Sequence, residues 1–142
     1  MNHQTIIWGC FCLVALGASL KWPTNTRRFL GGFFIVMGVG VNLVYVLLDP
    51  EGFVRIGTDA RLLSFYAWAF STLVALWPIG FGVILASYEV ALGTMMIVGG
   101  RPGRWGLLAG ITFLVASTPL STWTLPNLIL AAALIAILLR EP

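Results

Sequence analysis

Charged side chains are scarce in this sequence: eight Lys and Arg and five Asp and Glu among 142 residues. The chain is also 59% hydrophobic, with a mean hydropathy of +0.97. That much apolar surface cannot be hidden in a water-soluble core of this size, so the sequence reads as an integral membrane protein. The length allows one helical domain over residues 1–142 and no separate soluble domain, which argues against catalysis on a large soluble substrate. The net charge of +3 contains no basic block interleaved with aromatics, so nucleic acid is not an expected partner. The single histidine, His3, excludes haem held by two histidines of one chain. No His, Cys and carboxylate residues have metal-ligand spacing, and no metal is expected. Cys10 and Cys12 stand two residues apart, on nearly opposite faces of a helix, and read as small buried hydrophobes rather than as a disulfide.

What is present is a series of apolar runs. Residues 6–20 form the first, and with no basic residue before it the run reads as a retained span rather than a signal peptide. The second, 29–48, follows Arg27 and Arg28 and stops at Asp49-Pro50, since proline lacks an amide and restricts the residue before it. The third is Pro78 to Val98, and 105–118 and 127–139 follow as shorter spans. Residues 62–77 are apolar and aromatic. The positive-inside rule favours an interfacial helix there over a sixth span. With five spans, Lys21, Arg27, Arg28, Arg101, Arg104 and Arg140, six of the eight basic residues, share one side, against Arg55 and Arg61 on the other. The N-terminus is then outside and the C-terminus cytoplasmic, in what reads as a prokaryotic plasma membrane, with Trp8, Trp123 and the 62–77 aromatics at the outer interface.

Inside lipid, small and polar residues mark helix contacts. Gly82, Ala86, Glu89 and Gly93 fall on one face of the third span, Gly31, Gly38, Asn42 and Tyr45 mark the second, and Gly106 and Gly110 form a small-xxx-small pair. Glu89 is the one charged residue within the predicted spans, and an intramembrane carboxylate is a functional-site candidate by default. At about 1.5 Å of rise per residue, Glu89 lies roughly 14 Å and Asn42 roughly 20 Å from the inner ends of their spans, about one helical turn apart. A small polar core of Glu89, Asn42 and Tyr45 is expected, with Tyr88 as a further candidate. With no Lys or Arg in the spans to pair with it, Glu89 is expected to be protonated much of the time. It could carry a proton, or it could simply hydrogen-bond to a neighbouring helix. Met95-Met96 reads as lipid-facing filler. Residues 99–104 lack the lysine and hydroxyl of a phosphate loop and read as a tight turn whose arginines meet headgroups.

Arg28-Phe29-Leu30-Gly31, Leu48-Asp49-Pro50-Glu51-Gly52-Phe53, Tyr88-Glu89-Val90-Ala91-Leu92-Gly93 and Gly99-Gly100-Arg101-Pro102-Gly103-Arg104 together resemble the DoxX-like superfamily of small polytopic membrane proteins. The resemblance covers about 27–139. It implies an all-α four-helix membrane bundle, here preceded by one extra N-terminal helix, which makes five spans plus the interfacial helix. It also implies a subunit of a quinone-linked or thiol-redox system, with the family's acidic residue at Glu89. Many relatives carry a Lys where this chain has Asn42. The expected function is therefore a redox- or quinone-linked membrane subunit without catalytic activity in isolation, partnered by lipid and by other membrane subunits or further copies of itself. A non-catalytic assembly subunit and a small carrier are the alternatives.

Overall fold

The structure, a computed structural model, describes residues 3–60 and 62–141; Arg61, counted above on the outer side, lies outside them. All regular structure among the described residues is helical. Helix α1 is His3–Lys21. Helix α2, Pro23–Leu48, is α-helical to Val36, passes through a π-helical stretch at Met37–Leu43 and returns to α-geometry over Val44–Leu48. The others are α3 (Pro50–Thr58), α4 (Ser64–Thr72), α5 (Pro78–Val98), α6 (Gly100–Ser117) and α7 (Asn127–Arg140).

Three of these helices begin in the same way. Trp22-Pro23, Asp49-Pro50 and Trp77-Pro78 each place proline in the first turn, where its missing amide costs nothing, and push the preceding residue out of helical geometry, to ψ of 65°, 74° and 68°. At the second joint Gly52 N also donates to Asp49 Oδ1 at 2.8 Å, capping α3. The α5–α6 joint is different in kind. Gly99 and Gly100 have φ of +79° and +61°, which L side chains rarely adopt, and a Cβ on Gly99 would strike the Arg27 guanidinium.

Four segments are long and apolar enough to cross a membrane: His3–Lys21, Pro23–Leu48, Pro78–Val98 and Thr122–Arg140. The 21 residues of α5 extend about 31 Å, the thickness of a bilayer's hydrocarbon layer. Large aliphatic side chains on the outside, such as Ile7, Val14 and Leu139, suit a lipid-facing surface. Helices α2, α5, α6, α7 and α1 pack in that order around one core. Its members are Cys12 and Ala15 from α1, Leu30 and Phe34 from α2, Leu92 and Met96 from α5, Leu107 and Leu114 from α6, and Leu130, Leu134 and Ile137 from α7. The first helix is thus a full side of the bundle.

The structure corrects three sequence expectations here. Helix α2 starts at Pro23 rather than at 29, so Arg27 and Arg28 lie inside it. The 99–104 turn shrinks to Gly99 and the positive-φ Gly100 that opens α6, and Arg101 and Arg104 sit in the first two turns of α6. Met96 is fully buried rather than lipid-facing. The reason for the last is periodic: 96 continues the 82, 86, 89, 93 series by another step of three.

Arginine can enter α2 because its charge is used at the helix ends. Arg27 is buried; its Nε meets Glu141 Oε2 at 2.5 Å, and Nη1 donates to Met96 O in the last turn of α5. Arg104 Nη1 donates to Glu141 O at 2.9 Å just past α7, and Arg140 Nη1 donates to Leu20 O at the end of α1. Three arginines therefore serve three helix C-termini, where carbonyls lack intrahelical partners and the dipole is negative. These contacts collect Arg27, Arg104, Arg140, the α1–α2 joint and the α5–α6 joint at one end of the bundle.

At the other end, α3 and α4 fold against each other as a short hairpin and form a second, smaller core of Val46, Phe53 and Val74, with Phe70 and Leu85 against it. Residues 62–77 are thus a nine-residue helix and a single 3₁₀ turn. One face of the segment turns Tyr66 and Phe70 inward, and the other leaves Phe65, Trp68 and Trp77 exposed.

Candidate functional site

The site is built where α2 and α5 touch most closely. At Gly31 and Gly93 the two backbones meet: a Cβ on Gly31 would lie 2.6 Å from Gly93 O, and one on Gly93 would strike Gly31 O. Further along, Gly82 lies against Val46, and Ala86 is buried. Between these contacts Gly38 leaves space for a side chain from α5, and Glu89 takes it. A Cβ on Gly38 would come within 3.0 Å of Glu89 Oε2. The second pair of small residues, Gly106 and Gly110, brings α6 against Leu92 O and Leu134 respectively.

Glu89 is 1% exposed. Asn42 Nδ2 donates to its Oε1 at 2.7 Å, while Oε2 is enclosed and has no hydrogen-bond partner among the described residues. Asn42 belongs to the π-helical stretch, whose i→i+5 turn takes in one more residue than an α-turn. Gly38 and Gly40, both poor helix formers, lie in the same stretch. Short π segments occur often at functional sites, where they re-aim side chains.

The other two polar candidates are elsewhere. Tyr88 donates to Ala109 O on α6 at 2.9 Å, and Tyr45 reaches toward Gly52 and lines a separate, more open cavity with Arg55 and Asp59. Neither joins Glu89, because each points away from the α2–α5 seam on which Asn42 and Glu89 meet. The polar core is a pair.

Glu89 and Asn42 open onto a cavity of about 340 Å³. It lies where the main core and the smaller core under the α3–α4 hairpin part company. Phe34 and Leu114 wall it from one side, Phe53, Phe70 and Leu85 from the other. Its volume and its largely apolar, aromatic-rich lining with few polar groups are those of a small-molecule site.

A second polar group lines the same chamber and was not singled out from sequence. Trp8 Nε1 donates to Asn127 Oδ1 at 2.8 Å, and Asn127 Nδ2 donates to Ser117 Oγ at 2.9 Å. Trp8, which the sequence reading set at the outer interface, lines this chamber and stacks on Phe11 and Phe33, with ring centroids 5.2 and 5.8 Å apart. The one available hint was Asn127 itself, an amide opening an otherwise apolar run. Of the cysteines, Cys12 is buried in the core and Cys10 is exposed; both are free thiols. Among the described residues no three His, Cys, Asp or Glu side chains converge.

Chemically, the pair offers a donor. Asn42 occupies Oε1 as an acceptor, so in the neutral acid the proton resides on Oε2, the oxygen without a protein partner. A neutral acid with a hydrogen to give, on a residue that lines an aromatic-rich chamber, suits a small, flat, oxygen-bearing ligand. Comparison with protein-family models, with curated proteins and with solved structures gives no match, so the site is read from its own geometry.

Proposed function

We propose that this chain is a small integral membrane subunit that holds the headgroup of a quinone, or a molecule of like chemistry, in its aromatic chamber and works with a partner oxidoreductase. The observation that carries this reading is Glu89, buried and lining the chamber with an oxygen left unpartnered. A cavity of about 340 Å³ is at the low end for drug-sized ligands and suits a substituted single ring. The phenylalanine walls supply stacking surface. When bound, a quinone supplies two-electron redox chemistry; the chain's contribution is to exclude water, to orient one ring oxygen at Glu89 and to hold or release a proton there. The DoxX-like relationship belongs to the same proposal, together with a count of five spans in which α6 is the fourth.

The test separates binding from proton transfer. In Glu89→Leu, quinone retained through mild-detergent purification is expected to fall about tenfold, the loss of roughly one hydrogen bond. Glu89→Gln keeps a donor and is expected to retain the quinone, while quinone-linked turnover of the native complex falls about 100-fold or more, as for loss of an acid–base group. Wild-type protein that retains no quinone, combined with full activity in Glu89→Gln, would sink the proposal.

A second reading has its own observation. The Asn42–Glu89 hydrogen bond also joins α2 to α5, as an interhelical contact in a scaffold would. An assembly subunit predicts that Glu89→Gln is silent, while bulky residues at Gly82 or Gly93 break association with partners.

We also propose that the arginine-rich end is cytoplasmic, with the N-terminus outside. What supports this is the clustering of Arg27, Arg104 and Arg140 at one end and the positive-inside rule. A C-terminal green fluorescent protein fusion in a bacterial host is expected to fluoresce and a C-terminal alkaline phosphatase fusion to be inactive. The opposite pair of results reverses the topology.

A further inference from the structure

We infer that Asn127 is a second, specificity-determining pole of the chamber, so that the preferred ligand is a planar ring bearing an oxygen on each of two opposite edges. This rests on the chamber reading above and extends it. Glu89 stands on α5 and Asn127 on α7, with α6 packed between these helices, and both line the same cavity. A ligand with one polar group engages one of them; a ligand that engages both needs a polar group at each end and an apolar body between, where Phe34 and Phe113 stand.

Asn127 is built for this role. It is 6% exposed, and its amide is held from both sides, Oδ1 by the Trp8 indole and Nδ2 by the Ser117 hydroxyl. A primary amide has two N–H donors and two acceptor lone pairs. Trp8 takes one lone pair and Ser117 receives one N–H, leaving one of each. Ser117 in turn donates to Leu114 O at 3.2 Å, so its own hydrogen is committed and the order of donors is fixed. The free N–H can donate to a carbonyl, and the free lone pair can accept from a hydroxyl. The neutral Glu89 acid has the same double capacity. A ring whose oxygens interconvert between carbonyl and hydroxyl is therefore satisfied at both poles in either state. A fatty chain, a sterol or a simple phenol leaves one buried amide group unpaired, which costs affinity. Trp8 and Ser117 act through Asn127 and are positioning residues.

The probes are duroquinone, which carries two opposed oxygens and no free ring position for thiol addition, and 2,3,5,6-tetramethylphenol, which carries one oxygen. Affinities are measured by isothermal titration calorimetry on the full chain in detergent micelles. The wild type is expected to bind duroquinone about tenfold more tightly than the phenol. Asn127→Ala and the nearly isosteric Asn127→Leu, both checked by thermal unfolding, are expected to lower duroquinone affinity about tenfold. The same changes should move phenol affinity no more than about twofold, since a single oxygen can use the remaining pole. Trp8→Phe, which frees the amide to rotate, should give an intermediate loss for duroquinone alone. If Glu89→Leu weakens duroquinone while both Asn127 variants bind it like wild type, the second pole is overturned and the chamber reading survives. If wild type binds neither probe, both are overturned.

Discussion

Replacing Arg27 with alanine is expected to destabilise the bundle by about 3–5 kcal/mol, the range seen when one partner of a buried ion pair is removed. The side chains of Arg27 and Glu141 are only 6% and 16% exposed, so Glu141 cannot recover full hydration when its partner goes. Glu141 Oε1 already lacks a hydrogen-bond partner, so the variant would leave the whole carboxylate unpaired. Two helix ends also lose by the same change: Met96 O at the end of α5 loses its donor, and α2 no longer ties down the residue that follows α7. The check is thermal or denaturant unfolding in detergent, with Arg28→Ala as the comparison, since Arg28 is exposed on the same turn. Removing both charges, Arg27→Met with Glu141→Leu, should recover much of the loss, because apolar replacement of a buried pair is often close to neutral. An Arg27→Ala protein within about 1 kcal/mol of wild type would show that the pair is solvated and contributes little.

Gly93→Leu should have an effect of similar size by a different route. A Cβ on Gly93 strikes Gly31 O and would approach Ile35 Cγ1 to 2.9 Å; the first contact is with backbone, which no rotamer change relieves. Helices α2 and α5 must move apart, at a cost near the upper end of the 1–3 kcal/mol typical of overpacking, about 3 kcal/mol. Because the Asn42–Glu89 hydrogen bond spans the same seam, separation should also disrupt the ligand site, and ligand affinity and stability should fall together. Gly32→Leu is the internal control: it is adjacent in α2, and nothing lies within 4 Å of where its Cβ would be. Equal stability losses at 32 and 93 would mean that the penalty is helix propensity or lipid contact rather than backbone approach. That outcome would undo the packing argument for the whole seam.

Much of the seam was legible in advance because it is written in short-range spacing. Steps of four, three and four from Gly82 to Gly93 put Glu89 on the face that carries the small residues, and a rise of about 1.5 Å per residue set Asn42 within one turn of it. The hydrogen bond at 2.7 Å joins those two side chains. Tyr45 and Tyr88 show the limit of the same reasoning. Tyr45 lies three residues after Asn42 but across the change from π- to α-geometry, which shifts the face it presents. Tyr88 is adjacent to Glu89 and so about 100° away around the helix, against α6.

Taken alone, the sequence determined that this chain carries helices apolar enough to cross a membrane, that Pro23, Pro50 and Pro78 mark joints between them, and which faces of α2 and α5 approach each other. Those facts follow from composition, from what proline does to its neighbours and from helical period, all of which act over a few residues. The tertiary structure decided the rest. Arg27 became a buried cap instead of a surface charge because its partner lies 114 residues away at Glu141. Trp8 came to line the chamber because Asn127, 119 residues on, accepts its indole hydrogen. The chamber itself exists because two cores, one inside the bundle and one under the α3–α4 hairpin, fail to merge. A void between packed layers depends on how helices distant in sequence are docked, and no local pattern encodes that.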